Sequence, residues 1–270
     1  MTCPRKTSLS RRLLSPDFPS PPARLEAPAA WRVVDLISDL HLHSGDAATL
    51  HTLTGYLAHT PADALCILGD LFEVWVGDDC LVGGSFELHI AQILREASTR
   101  MPIYLMHGNR DFLLGPAGLQ ACGAQTLQDP TILAFSGQSW LLSHGDALCL
   151  ADTAYMAFRA QVRSPSWQSE FLARPLPERQ ALALAMRSES SARKQTVQVW
   201  ADVDSAAVVQ WLAASHCPTL IHGHTHKPAD HALGQGLQRM VLSDWDAGAL
   251  PPRAEVLRLT ASGAQRIALS

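Results

Sequence analysis

Ala64-Leu65-Cys66-Ile67-Leu68-Gly69-Asp70 reads as a buried β-strand that stops at a glycine and a carboxylate. Five consecutive apolar residues suit a strand covered on both faces. Gly69 permits close backbone approach at the strand's end. The carboxylate of Asp70 therefore emerges where loops meet, and a carboxylate in that place can bridge two cations.

The same arrangement recurs along the chain. Apolar runs at Val33–Ile37, Ile103–Met106, Trp140–Leu142 and Thr219–Ile221 each lead into a cluster of Gly with Asp, Asn or His. Between them, Ala47–Ala58 and Phe86–Ser98 repeat apolar residues at spacings of three and four, which predicts helices. Strands alternating with helices imply an α/β layered fold with a substantial sheet. Ligands in such folds collect beyond the carboxyl ends of the strands.

The chain has 270 residues, 47% of them hydrophobic, enough for one large domain or a domain with an insertion. A formal net charge of -4 argues against a nucleic-acid coat protein, which needs a dense basic surface. Cys3, Cys66, Cys80, Cys122, Cys149 and Cys217 form no C-x-x-C pair, which suggests a reducing compartment without a disulfide framework. No stretch approaches the ~20 apolar residues of a membrane span.

Two segments depart from the alternating pattern. Residues 1–30 are rich in Pro, Ser and Arg and read as a disordered tail ahead of a domain over 31–270. Ser10-Arg11-Arg12 is similar to a twin-arginine export signal, but Ser15-Pro16-Asp17 interrupts where an apolar region should follow. Residues 151–204 contain long helical runs such as Glu178–Ser191 and no strand candidate, so they read as a helical insertion lying over the sheet as a lid. From Tyr155 to Trp200 this insertion carries seven Arg or Lys and three Glu, beside Tyr155, Met156, Phe158, Trp167, Phe171 and Leu172. Basic donors next to apolar walls could meet anionic and apolar groups of a substrate together.

The polar clusters carry the chemistry. Asp39-Leu40-His41 places a carboxylate and an imidazole two positions apart, on one face of an extended segment. His224-Thr225-His226 repeats that spacing. Asn109, in Gly108-Asn109-Arg110-Asp111, offers a neutral hard oxygen suited to Mg or Mn beside carboxylates. Ser143-His144-Gly145-Asp146 adds another imidazole. Singly each motif is weak, since His and Gly-Asn have many structural uses. Their joint order, each after an apolar run, is specific.

Read together, D-x-H, G-D, G-N-R-D, H-G-D and G-H-T-H resemble the calcineurin-like metallophosphoesterase superfamily from about Val33 to Trp245. The resemblance implies a four-layer α/β fold, a β-sandwich flanked by helices. It also implies two Mn2+ ions, with Mg2+ or another divalent cation as alternatives. Asp39, His41, Asp70 and His226 would bind one, and Asp70, Asn109, His144 and His224 the other. Two cations about 3.5 to 4 Å apart lower the pKa of a bridging water and neutralise phosphoryl oxygens.

Gly69–Asp79, Gly108–Gly115 and His144–Cys149 are similar to a narrower branch that splits the pyrophosphate of a nucleotide-linked glycolipid in lipid A biosynthesis. That resemblance implies attack at the nucleoside-side phosphorus and catalytic roles for Asn109, Arg110, His144 and His224. It assigns substrate contacts to Asn109, Arg110, Asp152, Ser190 and His224, with Arg193 or Lys194 standing in for a basic position the chain lacks near Thr196. A monomer on the cytoplasmic face of a Gram-negative inner membrane is implied, touching lipid peripherally and binding no nucleic acid. Many superfamily members have His where this chain has Arg110. A guanidinium is no acid near neutral pH, so Arg110 suits a weakly basic phosphate leaving group. The motifs leave open another phosphoesterase of the superfamily, acting on nucleotides or phosphoproteins, or an inactive scaffold. Arg110 and the insertion speak against the first, and the complete ligand set against the second.

Overall fold

The computed structural model describes residues 22–196 and 202–269, with the side chains of 188–196 left aside. Within them the alternation of strands and helices is realised as two six-stranded mixed sheets packed face to face. One sheet contains β2 (Val34–Ile37), β3 (Ala64–Leu68), β4 (Ile103–Met106) and β5 (Ala124–Leu127) in parallel, extended past β2 by β11 (Glu255–Thr260) and β12 (Gly263–Ala268). The other runs β1 (Ala23–Glu26), β6 (Thr131–Phe135), β7 (Gln138–Ser143), β8 (Thr219–His222), β10 (Leu237–Val241) and β9 (Ala229–Gly234).

Period-two alternation explains how two sheets share one core. Val34, Leu36, Cys66, Leu68 and Met106 from the first sheet meet Leu133, Phe135, Trp140, Leu142 and Ile221 from the second. The opposite face of the first sheet, with Ile37, Leu65, Ile67, Ile103 and Leu105, lies under α1 (Ala47–His59), α2 (Phe86–Ser98) and α3 (Pro116–Cys122). The opposite face of the second sheet, with Leu141 and Leu220, is covered by α7 (Ser205–Ser215) through Trp211 and Leu212. These layers are the four-layer α/β sandwich expected from the motifs. Asp35 alternates onto a helix-covered face, and two 2.8 Å bonds from Arg258 and hydroxyls of Tyr56 and Thr60 satisfy it there.

Three helices fill the described part of the insertion: α4 (Thr153–Val162), α5 (Pro165–Leu172) and α6 (Leu176–Thr196). Asp152 and Ser164 cap the first two by accepting the backbone N–H of Tyr155 and Trp167. The reading of its basic residues as substrate donors requires correction for four of them. Arg159 and Arg163 neutralise the buried Asp146 at 2.8 and 3.3 Å. Arg174, in the turn between α5 and α6, pairs with Glu170 of the first and Glu178 of the second. Arg179 is buried against Asp79 and the Val76 carbonyl. Arg159, Arg163 and Arg179 hold the insertion onto the sandwich, and Arg174 joins two helices within it.

The tail boundary also needs correcting. Ala23–Glu26 pairs in parallel with β6, from Ala23 opposite Thr131 to Glu26 opposite Ala134. Leu25, Ala27 and Trp31 pack against the inter-sheet core. A four-residue edge strand with only two apolar residues is masked by the Pro-rich composition around it. The remainder of the expected tail, 1–21, lies outside the described residues.

Candidate metal centre

Every motif read from the sequence lies just past the end of a central strand. Asp39 and His41 follow β2, Asp70 follows β3, Asn109 and Arg110 follow β4, His144 follows β7, and His224 and His226 follow β8. Because β2, β3 and β4 run parallel in one sheet and β7 and β8 in the other, these ends open together.

The backbone there is unusual. Asp39, His41, Asp70, His224 and His226 have φ of 54°, 48°, 53°, 67° and 52°. A non-glycine residue held in this left-handed region costs of order 1–3 kcal/mol and persists only where surroundings enforce it. Such a concentration marks a functional cluster. Glycines supply the close approach: a Cβ on Gly108 would strike the Asp70 carboxylate, and one on Gly223 would strike Asp39. Asp111, fully buried, clamps the β3 and β4 loops by accepting the backbone N–H groups of Gly108 and Leu71, both at 2.8 Å.

The side chains gather in two lobes. Asp39 Oδ1 stands 3.4 Å from His226 Nε2 and 3.9 Å from His41 Nε2, and those two imidazole nitrogens are 3.1 Å apart. Across the cluster, His144 Nε2 and His224 Nδ1 lie 3.1 and 2.8 Å from Asn109 Oδ1. Asp70 stands between, with Oδ2 3.8 Å from His41 and Oδ1 3.8 Å from His144. Asp39, His41 and His226, and likewise Asp39, Asp70 and His144, offer donor atoms all within 4.8 Å of one another.

This donor set fits divalent cations. Asp39 Oδ1 is buried and accepts no hydrogen bond among the described residues. The two imidazole nitrogens that face each other at 3.1 Å can share one ring proton, or turn both lone pairs to a cation beside them. Leu68 O, 2.9 Å from His144 Nδ1, orients that ring, and carboxylates lie behind two others, Glu73 Oε2 3.0 Å from His41 Nδ1 and Asp244 Oδ2 3.8 Å from His226 Nδ1. Carboxylate, amide and imidazole donors together suit Mn or Mg.

The electrostatics agree. Burial alone would lower His144, but Asp70, Asp146 and Asp39 outweigh it and push its pKa up to about 9. Burial raises the Asp70 carboxyl, an effect tempered by His144 and His41. Asp39 is held below the usual range despite burial, by His226, His144 and His41. Burial and the nearby His144 push His224 down to about 3, leaving a neutral imidazole with a free lone pair. The cluster is an anionic pit that protons partly fill and cations would fill better.

Arg110 lies at the rim, its Nη1 4.0 Å from Glu73 Oε1 and its buried Nε without a hydrogen-bond partner among the described residues. Asp152 is exposed and caps α4. Ser190, Arg193 and Lys194 lie in α6 where side chains are not described. Trp75, Cys149 and Trp245 lie near the motifs and are buried, and the sequence assigns them no role. The sequence reading gave none to Glu73, Asp111 or Asp146 either. A charged residue inside Leu71-Phe72-Glu73-Val74-Trp75 was the available signal for Glu73.

Strand-end carboxylates and imidazoles of this kind on a four-layer sandwich define a metal-dependent phosphoesterase. The profile of the calcineurin-like phosphoesterases matches residues 33–228. UDP-2,3-diacylglucosamine hydrolase of Chromohalobacter salexigens is 44% identical over 79% of this chain and 89% of its own. The proteins of that name from Chromobacterium violaceum and Bordetella pertussis are 46% and 42% identical, over 80% and 85% of this chain and 91% and 92% of theirs. The chain belongs to the calcineurin-like phosphoesterases and, within them, to the UDP-2,3-diacylglucosamine hydrolase family.

Proposed function

We propose that this protein hydrolyses the pyrophosphate bond of UDP-2,3-diacylglucosamine at the uridine-side phosphorus, giving UMP and 2,3-diacylglucosamine 1-phosphate in lipid A biosynthesis. The carrying observation is the convergence of seven donors from five strand ends, with Asp70 offering one oxygen to each lobe.

Two Mn2+ ions are the proposed cofactors. Asp39, His41, Asp70 and His226 hold one, and Asp70, Asn109, His144 and His224 the other. When bound, such ions supply Lewis acidity and a water of lowered pKa. Asn109 and His224, at the mouth of the second lobe, orient the phosphoryl oxygens. Arg110 keeps its charge at every working pH, and its partly exposed guanidinium is the cation that meets phosphate. A departing sugar phosphate is already a weak base, so it needs this charge more than a proton.

The insertion supplies the remaining recognition. Phe158, Leu172, Leu184 and Met186 expose apolar surface on α4, α5 and α6 that suits acyl chains. Asp152, Ser190 and Arg193 or Lys194 contact the sugar and its phosphate. No helix among the described residues is long and apolar enough to cross a membrane. The protein acts as a monomer at the cytoplasmic face of the inner membrane, held there peripherally by its lipid substrate.

The test is turnover of UDP-2,3-diacylglucosamine with Mn2+ in 18O-water. Label in UMP is expected, with turnover abolished by chelation and poor activity on simple nucleotides. Turnover that survives strong chelation, or label in the sugar phosphate, would contradict the proposal.

A further inference from the structure

We propose that Glu73 is a positioning residue, whose carboxylate fixes the ring of His41 toward the metal centre and is itself fixed by Arg187 of α6. Glu73 lies three residues beyond Asp70 on the same loop. The backbone seats that loop against the one bearing His41: the N–H of Glu73 donates to Leu42 O at 3.1 Å and the N–H of His41 donates to Asp70 O at 3.0 Å. The Glu73 side chain is only 10% exposed, and a buried carboxylate persists where its oxygens are occupied.

Both oxygens are occupied, on opposite sides. Oε2 stands 3.0 Å from His41 Nδ1, a charge contact without hydrogen-bond geometry that favours the ring proton on Nδ1 and leaves Nε2 to face Asp39 and Asp70. This fixes the tautomer that a cation needs. Oε1 takes Nε of Arg187 at 2.7 Å, with Arg110 Nη1 at 4.0 Å. Arg187 thereby joins α6 to the His41 side of the metal centre through Glu73. The orientation of His41 and the seating of α6 become linked through one carboxylate.

The inference rests on the metal-binding reading, and titration of Mn2+ into chelator-stripped protein separates the two. If the wild-type chain binds no Mn2+, the metal reading itself fails. If it binds, Glu73→Ala is expected to weaken Mn2+ affinity by about 10- to 100-fold, with activity recovered at high Mn2+. Glu73→Gln, which keeps an acceptor oxygen but no charge, is expected to lose less, and it decides the matter should Glu73→Ala fail to fold. Arg187→Ala should weaken Mn2+ binding by a few-fold, and the double variant should be no worse than Glu73→Ala. Wild-type Mn2+ affinity in folded Glu73→Ala, or in Glu73→Gln where the alanine variant is unfolded, overturns the proposal. Additive losses in the double variant overturn the link to Arg187.

Discussion

Arg110 distinguishes this centre from those that carry an imidazole at the same position. A guanidinium compensates charge but donates no proton near neutral pH, so its value depends on the leaving group. Arg110→His is expected to lower kcat/KM on the diphosphate by ~100-fold while lowering that on an activated aryl monoester by less than tenfold. Steady-state kinetics on the two substrates check this, and equal losses would show that leaving-group charge is not what Arg110 serves. The residue scale is also where the sequence was most legible. Each candidate ligand sits within a few positions of the strand that carries it, so local order announced the cluster. The second line of groups was hidden, because Glu73 meets His41 and Asp146 meets Arg159 only through folding.

At the scale of elements, α4 is tied to the loop after β7 by Asp146, which accepts from Tyr155 at 2.7 Å, Arg159 at 2.8 Å and Arg163 at 3.3 Å. Burial alone would raise this carboxyl, yet Arg163 and Arg159 hold it far below the usual range. A carboxyl depressed in the folded state adds stability above its unfolded pKa of about 4, and that stability is lost progressively as pH falls below it. Asp146→Asn is expected to cost about 3 kcal/mol at pH 7, because it leaves two guanidiniums without their partner. Its melting temperature should fall less than that of wild type between pH 5 and 3; thermal melts in chelator check both, and parallel curves would contradict the assignment. These pairings also show why the insertion's charge was misread: composition counts cations but cannot say which carboxylate each will face.

Strand β1 makes the same point about edges. Its four residues carry too little pattern to stand out, yet their ladder covers β6. Deleting residues 1–30 is expected to remove ~2 kcal/mol through lost ladder bonds, a fall of roughly 4–8 °C in Tm, and to favour aggregation at the bared edge. An unchanged melting curve would mean that the strand contributes nothing.

For the whole molecule, the essential fact is that the central strands of two sheets end at one place. Five polar residues there adopt left-handed backbone, and a buried carboxylate oxygen has no donor among the described residues. The alternation of strands and helices was legible because their periods are local, the four layers through the family resemblance, and the strand ends because ligand types repeat after each. The pairing of the sheets was not, since it depends on which alternate residues of distant strands share a core. Anomalous diffraction from Mn2+-soaked crystals tests the account most directly. It predicts two peaks, one among Asp39, His41 and His226 and one among Asn109, His144 and His224, with Asp70 reaching both; no peak there, or a single one that leaves either lobe without an ion, would contradict it.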